Sequence, residues 1–172
     1  MANRKYFTRN TFRFMSELSD NNDREWFAEN KHRYEADIKD ASLTFIEDFS
    51  TRLKKLRPQF MAGARSLFRI YRVVRFAKDK SPYKTNAGAH FRHRVGREVH
   101  GPGFYLHLEP GHVFVGAGLW HTGTETLAKI REAIAANPGR WRRIVDAEDF
   151  RAQYRLEGDS LKRAPKGYDA DH

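Results

Sequence analysis

Between Phe68 and Lys84 the chain reads FRIYRVVRFAKDKSPYK, with six cations (Arg69, Arg72, Arg75, Lys78, Lys80 and Lys84) and four aromatic rings against one carboxylate, Asp79. Guanidinium groups suit phosphate and carboxylate because their planar fork donates two parallel hydrogen bonds, and ammonium groups add compact charge on a mobile stem. Tyr71 and Tyr83 add hydroxyl donors and flat faces on which a base or sugar ring can stack. The chemistry open to this stretch is the capture of an anion. The bland alternative is a solvated basic face whose side-chain stems cover apolar surface.

Charge elsewhere sharpens the reading. From Arg65 to His100 there are ten Lys and Arg against two acids, Asp79 and Glu98, whereas the remaining residues hold 22 and 20 and are nearly balanced. The formal net charge of +10 is therefore concentrated in about a fifth of the chain. A local excess makes a field that draws in anions, and His90, His93 and His100 would add to it at lower pH.

A second polar group sits further on. GFYLHLEPGHVFVGAGLW, from Gly103 to Trp120, has alternating residues on both sides of Pro110 and Gly111, the pattern of a β-hairpin. Pairing Glu109 with His112 puts Leu108, Leu106, Phe104, Val113, Val115 and Ala117 on one apolar face, which is expected to be core. The other face then carries Tyr105, His107, Glu109, His112, Phe114 and Trp120, with gaps at Gly116 and Gly118. Such a face is a candidate pocket floor. His107 and Tyr83 are the candidate proton-transfer groups if the protein is an enzyme, although a sheet histidine is more often simply hydrogen-bonded.

Other chemistries find less support. His90 and His93 would point to opposite faces of a strand, there is no HExxH, and no metal site is predicted. No Gly-rich phosphate loop, GxSxG elbow or diagnostic carboxylate pair is present, so no cofactor is predicted and enzyme signatures are absent. With no cysteine among 172 residues, disulfides and thiolate chemistry are excluded.

These groups need a scaffold, and the first sixty residues read as helical. Phe12, Met15 and Leu18 form a stripe after the cap candidates Thr8 and Asn10, and a second helix opens at Asp23 and Glu25, burying Phe27, Tyr34 and Ile38 with Trp26 at its edge. Phe45, Phe49, Leu53 and Leu56 continue at helical spacing after an expected break near Asp40 to Ser42, until Pro58 stops the run. In the basic segment the cations recur every third residue, matching neither helix nor strand, so the backbone should bend between Tyr71 and Asp79. Phe68 and Ile70 should look inward before the bend, and Val74 and Phe76 should resume the buried side beyond it. Ser81 and Pro82 should set a turn that fixes Tyr83 and Lys84.

Gly88 to Val95 is expected to be a strand beside the hairpin, with Ala89, Phe91 and Val95 inward and His90, Arg92 and Arg94 on the other side. Thr124 to Ala136 is predicted as a helix with Leu127, Ile130 and Ile134 in its stripe and a Glu125–Lys129 pair, followed by a shorter helix through Trp141, Ile144 and Val145. Tyr154 to Arg163 reads as a small hairpin around Glu157, Gly158 and Asp159. The order of elements predicts one α+β domain over residues 1–172: an antiparallel sheet with a central hairpin, packed by N-terminal and C-terminal helices. No apolar run approaches a bilayer span and residues 1–10 lack a signal-peptide core, so the expected compartment is the cytoplasm, away from membranes.

Four stretches carry a resemblance: LSDNNDREWFAENKHRYE (Leu18 to Glu35), SLFRIYRVVRFAKDKSPYKT (Ser66 to Thr85), the Gly103 to Trp120 hairpin, and LKRAPKGYDADH (Leu161 to His172). Together they resemble the uncharacterised proteins catalogued as domain of unknown function family 2461. The resemblance implies a single α+β domain found in bacteria and fungi, and no known activity. It also implies relatives that continue beyond the position of His172 with a proline and another helical segment, so a C-terminal segment is expected to be missing here. Relatives tend to have an acid after RIYR, where this chain has Val73, which removes that carboxylate from any role.

Three functions remain from different classes. The first is a cytoplasmic anion-binding domain for a phosphate-bearing ligand, a nucleotide or nucleic acid, held by Arg69, Arg72, Arg75, Lys80, Tyr83 and Lys84 with Tyr105, His107 and Trp120 lining the adjacent sheet face. The second is an enzyme acting on a small phosphorylated or carboxylated substrate. The third is an interaction module that docks an acidic protein partner through its arginines.

Overall fold

The first helix starts where a hydroxyl is available to cap it. The Thr8 side chain accepts the Asn10 amide at 3.2 Å, and α1 runs Arg9–Asp20. The computed structural model describes residues 5–94, 101–119, 122–156, 161–165 and 167–169, which form two compact units, 1–122 and 123–172.

In the first unit the buried side of α1 is Thr11, Phe14, Met15 and Leu18, while the expected stripe residue Phe12 is only half-buried. The i, i+3, i+4, i+7 set wins because it closes a wider apolar face than strict three-residue spacing. Asp23 accepts the Trp26 amide at 2.9 Å and caps α2, Arg24–Arg33. The expected break near Asp40 is instead a seven-residue π-helical stretch, Tyr34–Asp40, that passes without interruption into α3, Ala41–Leu56. The buried Thr11 hydroxyl donates to the Asp37 carbonyl of this stretch at 3.0 Å, tying α1 to the wide turn. Leu56, expected in the α3 stripe, is exposed because the helix ends there beyond the sheet.

The sheet has three antiparallel strands in the order β1 (Ala87–Arg92), β2 (Gly103–Glu109), β3 (His112–Gly118). The hairpin register is the one expected, with Glu109 opposite His112, Leu108 opposite Val113 and Phe104 opposite Ala117. Gly111 takes φ 77° in its turn, a left-handed conformation that a Cβ would strain. Helices and strands therefore segregate as an α+β fold.

The core lies under β1 and β2. Phe14, Met15, Leu18, Phe27, Ile38, Ile70, Tyr83, Ala87 and Leu108 form one buried cluster, and Ile46, Leu53, Ala89 and Phe91 form a second, against which Phe49 and Phe104 pack. The β3 part of the apolar face departs from expectation: Val113 is 56% and Val115 68% exposed. The helical layer contacts β1 and β2, so alternation placed these valines on the core face without giving them a cover.

The second unit comprises α4 (Thr124–Ala136), α5 (Pro138–Val145) and α6 (Glu148–Gln153), the last not anticipated. Lys129 pairs with Glu125 at 2.6 Å as expected, and the Asn137 side chain caps α5 by accepting the Arg140 amide at 3.0 Å. Tyr154–Leu156 form no strand, and the tip of the hairpin expected there, 157–160, lies outside the described residues, as does Val95. Among the described residues no helix is long and apolar enough to cross a membrane.

Candidate functional site

The basic segment is a closed loop on a short two-stranded stem. The Arg72 amide donates to the Pro82 carbonyl (2.9 Å) and the Lys84 amide to the Ile70 carbonyl (2.8 Å), so 70–72 and 82–84 run side by side and Tyr71 faces Tyr83. Asp79 then folds the loop inward. Its carboxylate accepts from the Ser81 amide and hydroxyl (2.9 and 2.6 Å) and forms an ion pair with Arg72. The hydrogen bond from Arg72, followed by those from Ser81, holds the Asp79 carboxyl well below the usual carboxylate range. The irregular path expected between Tyr71 and Asp79 is present.

One residue anchors the stem to the helices. The Asn22 side chain donates to the Tyr83 carbonyl (3.0 Å) and accepts the Tyr83 amide (3.1 Å), imitating a strand partner. Its sequence signal was a polar stop between α1 and α2, which conceals this second use. Tyr83 itself is buried and stacked on Phe27, with ring centroids 4.0 Å apart and planes at 21°. It is a brace under the loop, and burial pushes its hydroxyl pKa up.

The cations divide into three kinds. Arg72 turns to Asp79, and the Lys80 ammonium donates to the Val74 carbonyl at 3.1 Å, so both help to close the loop. Arg75 and Lys78 are exposed, without a hydrogen bond or ion pair among the described residues. Lys84 is different: its ammonium donates to the Arg69 carbonyl at 2.9 Å and lies 5.5 Å from the centre of the Phe68 ring. Desolvation first, and the Arg69 charge second, push its pKa down. No carboxylate among the described residues pairs with either Lys84 or Arg69. Phe76, expected to return to the core, is 92% exposed, because the loop turns back through Asp79 before the chain regains the sheet.

Phe68 joins the cations to the polar sheet face. Its amide donates to the Gly88 carbonyl (2.9 Å), laying the residue along the free edge of β1, and its ring is 6.1 Å from Tyr105 and 6.4 Å from His90. On the sheet, the Tyr105 hydroxyl and His107 Nδ1 are 2.9 Å apart, and His107 Nε2 lies 3.1 Å from Glu109 Oε2. His107 is 9% exposed and stacks on Phe114 at 4.9 Å. Burial, and to a lesser extent the Glu109 charge, raise the Tyr105 pKa and keep its hydroxyl protonated. Burial and the Arg92 charge lower that of His90.

The glycines that matter here are not those the alternation singled out. Gly88 leaves room for Tyr105, whose hydroxyl would lie 2.7 Å from a Cβ, and Gly103 leaves room for His90, at 2.2 Å. Gly116 and Gly118 face open space. Trp120 and His100 lie outside the described residues. The structure thus groups Arg69, Lys84, Phe68, Tyr105 and His107 along one track, while Arg72 and Lys80 serve the loop and Tyr83 lies beneath it.

Comparison with known proteins gives one assignment. Residues 10–172 match the family described as "Conserved hypothetical protein (DUF2461)", and the chain belongs to that family. No curated protein and no solved structure matches it.

Proposed function

We propose that the first unit is a cytoplasmic anion-binding module whose ligand carries phosphate, a nucleotide or nucleic acid, with Lys84 and Arg69 as its central contacts. The observation that supports it is the like-charge pair at the foot of the loop. Lys84 is partly desolvated beside Arg69 with no carboxylate between them, an arrangement that disfavours its charged form. An anion bridging the two would offset that cost, and a phosphate oxygen matches both the ammonium and the guanidinium fork. Phe68 and the exposed Tyr71 offer faces for a base or sugar. Arg75 and Lys78 extend the field outward along the loop.

The test is a fluorescence anisotropy titration of the full chain with a labelled single-stranded oligonucleotide and, separately, a fluorescent ATP analogue, at about 50 and 200 mM salt. Binding should weaken in Lys84→Ala and Arg69→Ala. For the oligonucleotide, each lost phosphate contact should reduce the logarithmic salt slope by about 0.7. Absence of binding by both probes, or affinities that neither variant changes, would overturn the proposal.

A further inference from the structure

We propose a second site, independent of the ligand at Lys84: a divalent transition-metal site of the zinc class at the turn end of the β2–β3 hairpin, formed by His107, Glu109 and His112. The residues come together because of the strand register. His107 and Glu109 are two apart on β2 and share a face, and Glu109 is directly opposite His112 across the Pro110–Gly111 turn. His107 Nε2 and Glu109 Oε2 are 3.1 Å apart, His112 Nδ1 and the same oxygen 3.9 Å, and the three donor atoms all lie within 4.8 Å of one another. Neighbouring donors around a four-coordinate zinc with bonds of about 2.0–2.1 Å are about 3.4 Å apart. His107 and Glu109 are already near that spacing. His112, with its side chain 67% exposed, needs only a small rotation to meet it.

The surroundings favour a metal over a simple hydrogen-bonded trio. The His107 ring is buried and held flat against Phe114 (4.9 Å, 21°), and His112 packs on the same ring at 4.9 Å, so two imidazoles share one aromatic support. Tyr105 faces Nδ1 of His107 at 2.9 Å, the atom remote from Glu109. A metal on Nε2 requires the proton on Nδ1, where the Tyr105 oxygen accepts it, and such an outer partner fixes both tautomer and ring orientation. Two imidazole nitrogens and one carboxylate oxygen are a borderline donor set that zinc, nickel and cobalt accept readily. Three protein ligands leave a fourth position for water or a substrate oxygen, as in sites that act as Lewis acids.

Isothermal titration of the full chain with Zn2+, and visible absorption with Co2+ as a spectroscopic substitute, test the site. One equivalent should bind, and Co2+ should give the intense d–d bands of a tetrahedral site. His112→Ala and Glu109→Gln lie at the turn and should fold with unchanged circular dichroism while binding Zn2+ more than about 100-fold more weakly. Tyr105→Phe, which removes only the outer partner, should cost about 10–100-fold. His32→Ala, on the exposed side of α2, controls for adventitious binding by the eight histidines and should change nothing. Zn2+ affinity equal to wild type in both His112→Ala and Glu109→Gln, or lost equally in His32→Ala, would overturn the site.

Discussion

Replacing Gly88 with alanine tests whether the polar sheet face is a packed unit. Gly88 lies in β1 opposite His107. A methyl group there would be 2.7 Å from the Tyr105 hydroxyl, 3.0 Å from its ring carbon Cε2 and 3.2 Å from Phe68 Cδ2. A tyrosine tip alone could swing aside, but the ring carbon and Phe68 are also too close, and any swing breaks the contact with His107. Overpacking of this kind costs about 1–3 kcal/mol, and loss of the Tyr105–His107 hydrogen bond a further 0.5–1.5, roughly. Restricting the unfolded chain by replacing glycine returns about 0.4–1 kcal/mol. The net destabilisation is about 2 kcal/mol, a fall in Tm of about 4–8 °C. Thermal melts followed by circular dichroism should be run on wild type, Gly88→Ala, Tyr105→Ala and the double variant. With Tyr105 removed the principal clash is gone, so adding Gly88→Ala should then be nearly neutral or stabilising. Equal cost in both backgrounds, or a Gly88→Ala protein as stable as wild type, would refute the packing argument.

Four further outcomes are expected. Asp79→Asn should release Arg72 and tighten phosphate or oligonucleotide binding while steepening its salt dependence, as read by anisotropy. The same variant tests a pH limb: because the folded-state Asp79 pKa is depressed, its contribution to stability is present above the ordinary carboxylate value and lost as pH falls through the folded value, so acid melts of Asp79→Asn should be flatter below about pH 4. Lys84 has the opposite sense, since a lysine pKa lowered by burial means that its charge opposes folding at neutral pH and is relieved as pH rises toward the folded value; Lys84→Met should be no less stable than wild type in melts at pH 7, and bound phosphate should raise the Lys84 pKa in an NMR titration. Phe14, fully buried, should cost about 3–5 kcal/mol as Phe14→Ala in denaturant unfolding.

Several elements were legible in the sequence because local chemistry decides them. A Pro-Gly turn between two alternating runs fixed the hairpin register to the residue, and Thr8 and Asp23 marked helix starts by offering oxygens to orphan amides. The family resemblance was equally plain in the four quoted stretches. What escaped were features decided at a distance. The route of Phe76 depends on Asp79 capturing Arg72 and Ser81, and no period in the sequence encodes that. Asn22 looks like a helix terminator, yet its amide completes the backbone pairing of Tyr83, sixty-one residues away. The exposure of Val113 and Val115 follows from how far the helical layer extends, which alternation does not report. The grouping of His107, Glu109 and His112 was implicit in the expected register, but helix-based motif spacings cannot reveal donors that meet across a turn.

The π-helical stretch at Tyr34–Asp40 carries a geometric consequence for the whole N-terminal half. It behaves as one surplus residue stored between two ordinary helices, and such a bulge is removable by a single deletion. Excising one residue there would retract everything downstream by about 1.5 Å and rotate it by about 100°, turning Ile46 and Leu53 off the strands they now cover. Chain length across those seven positions is therefore set to the residue, even where side-chain identity is free to drift.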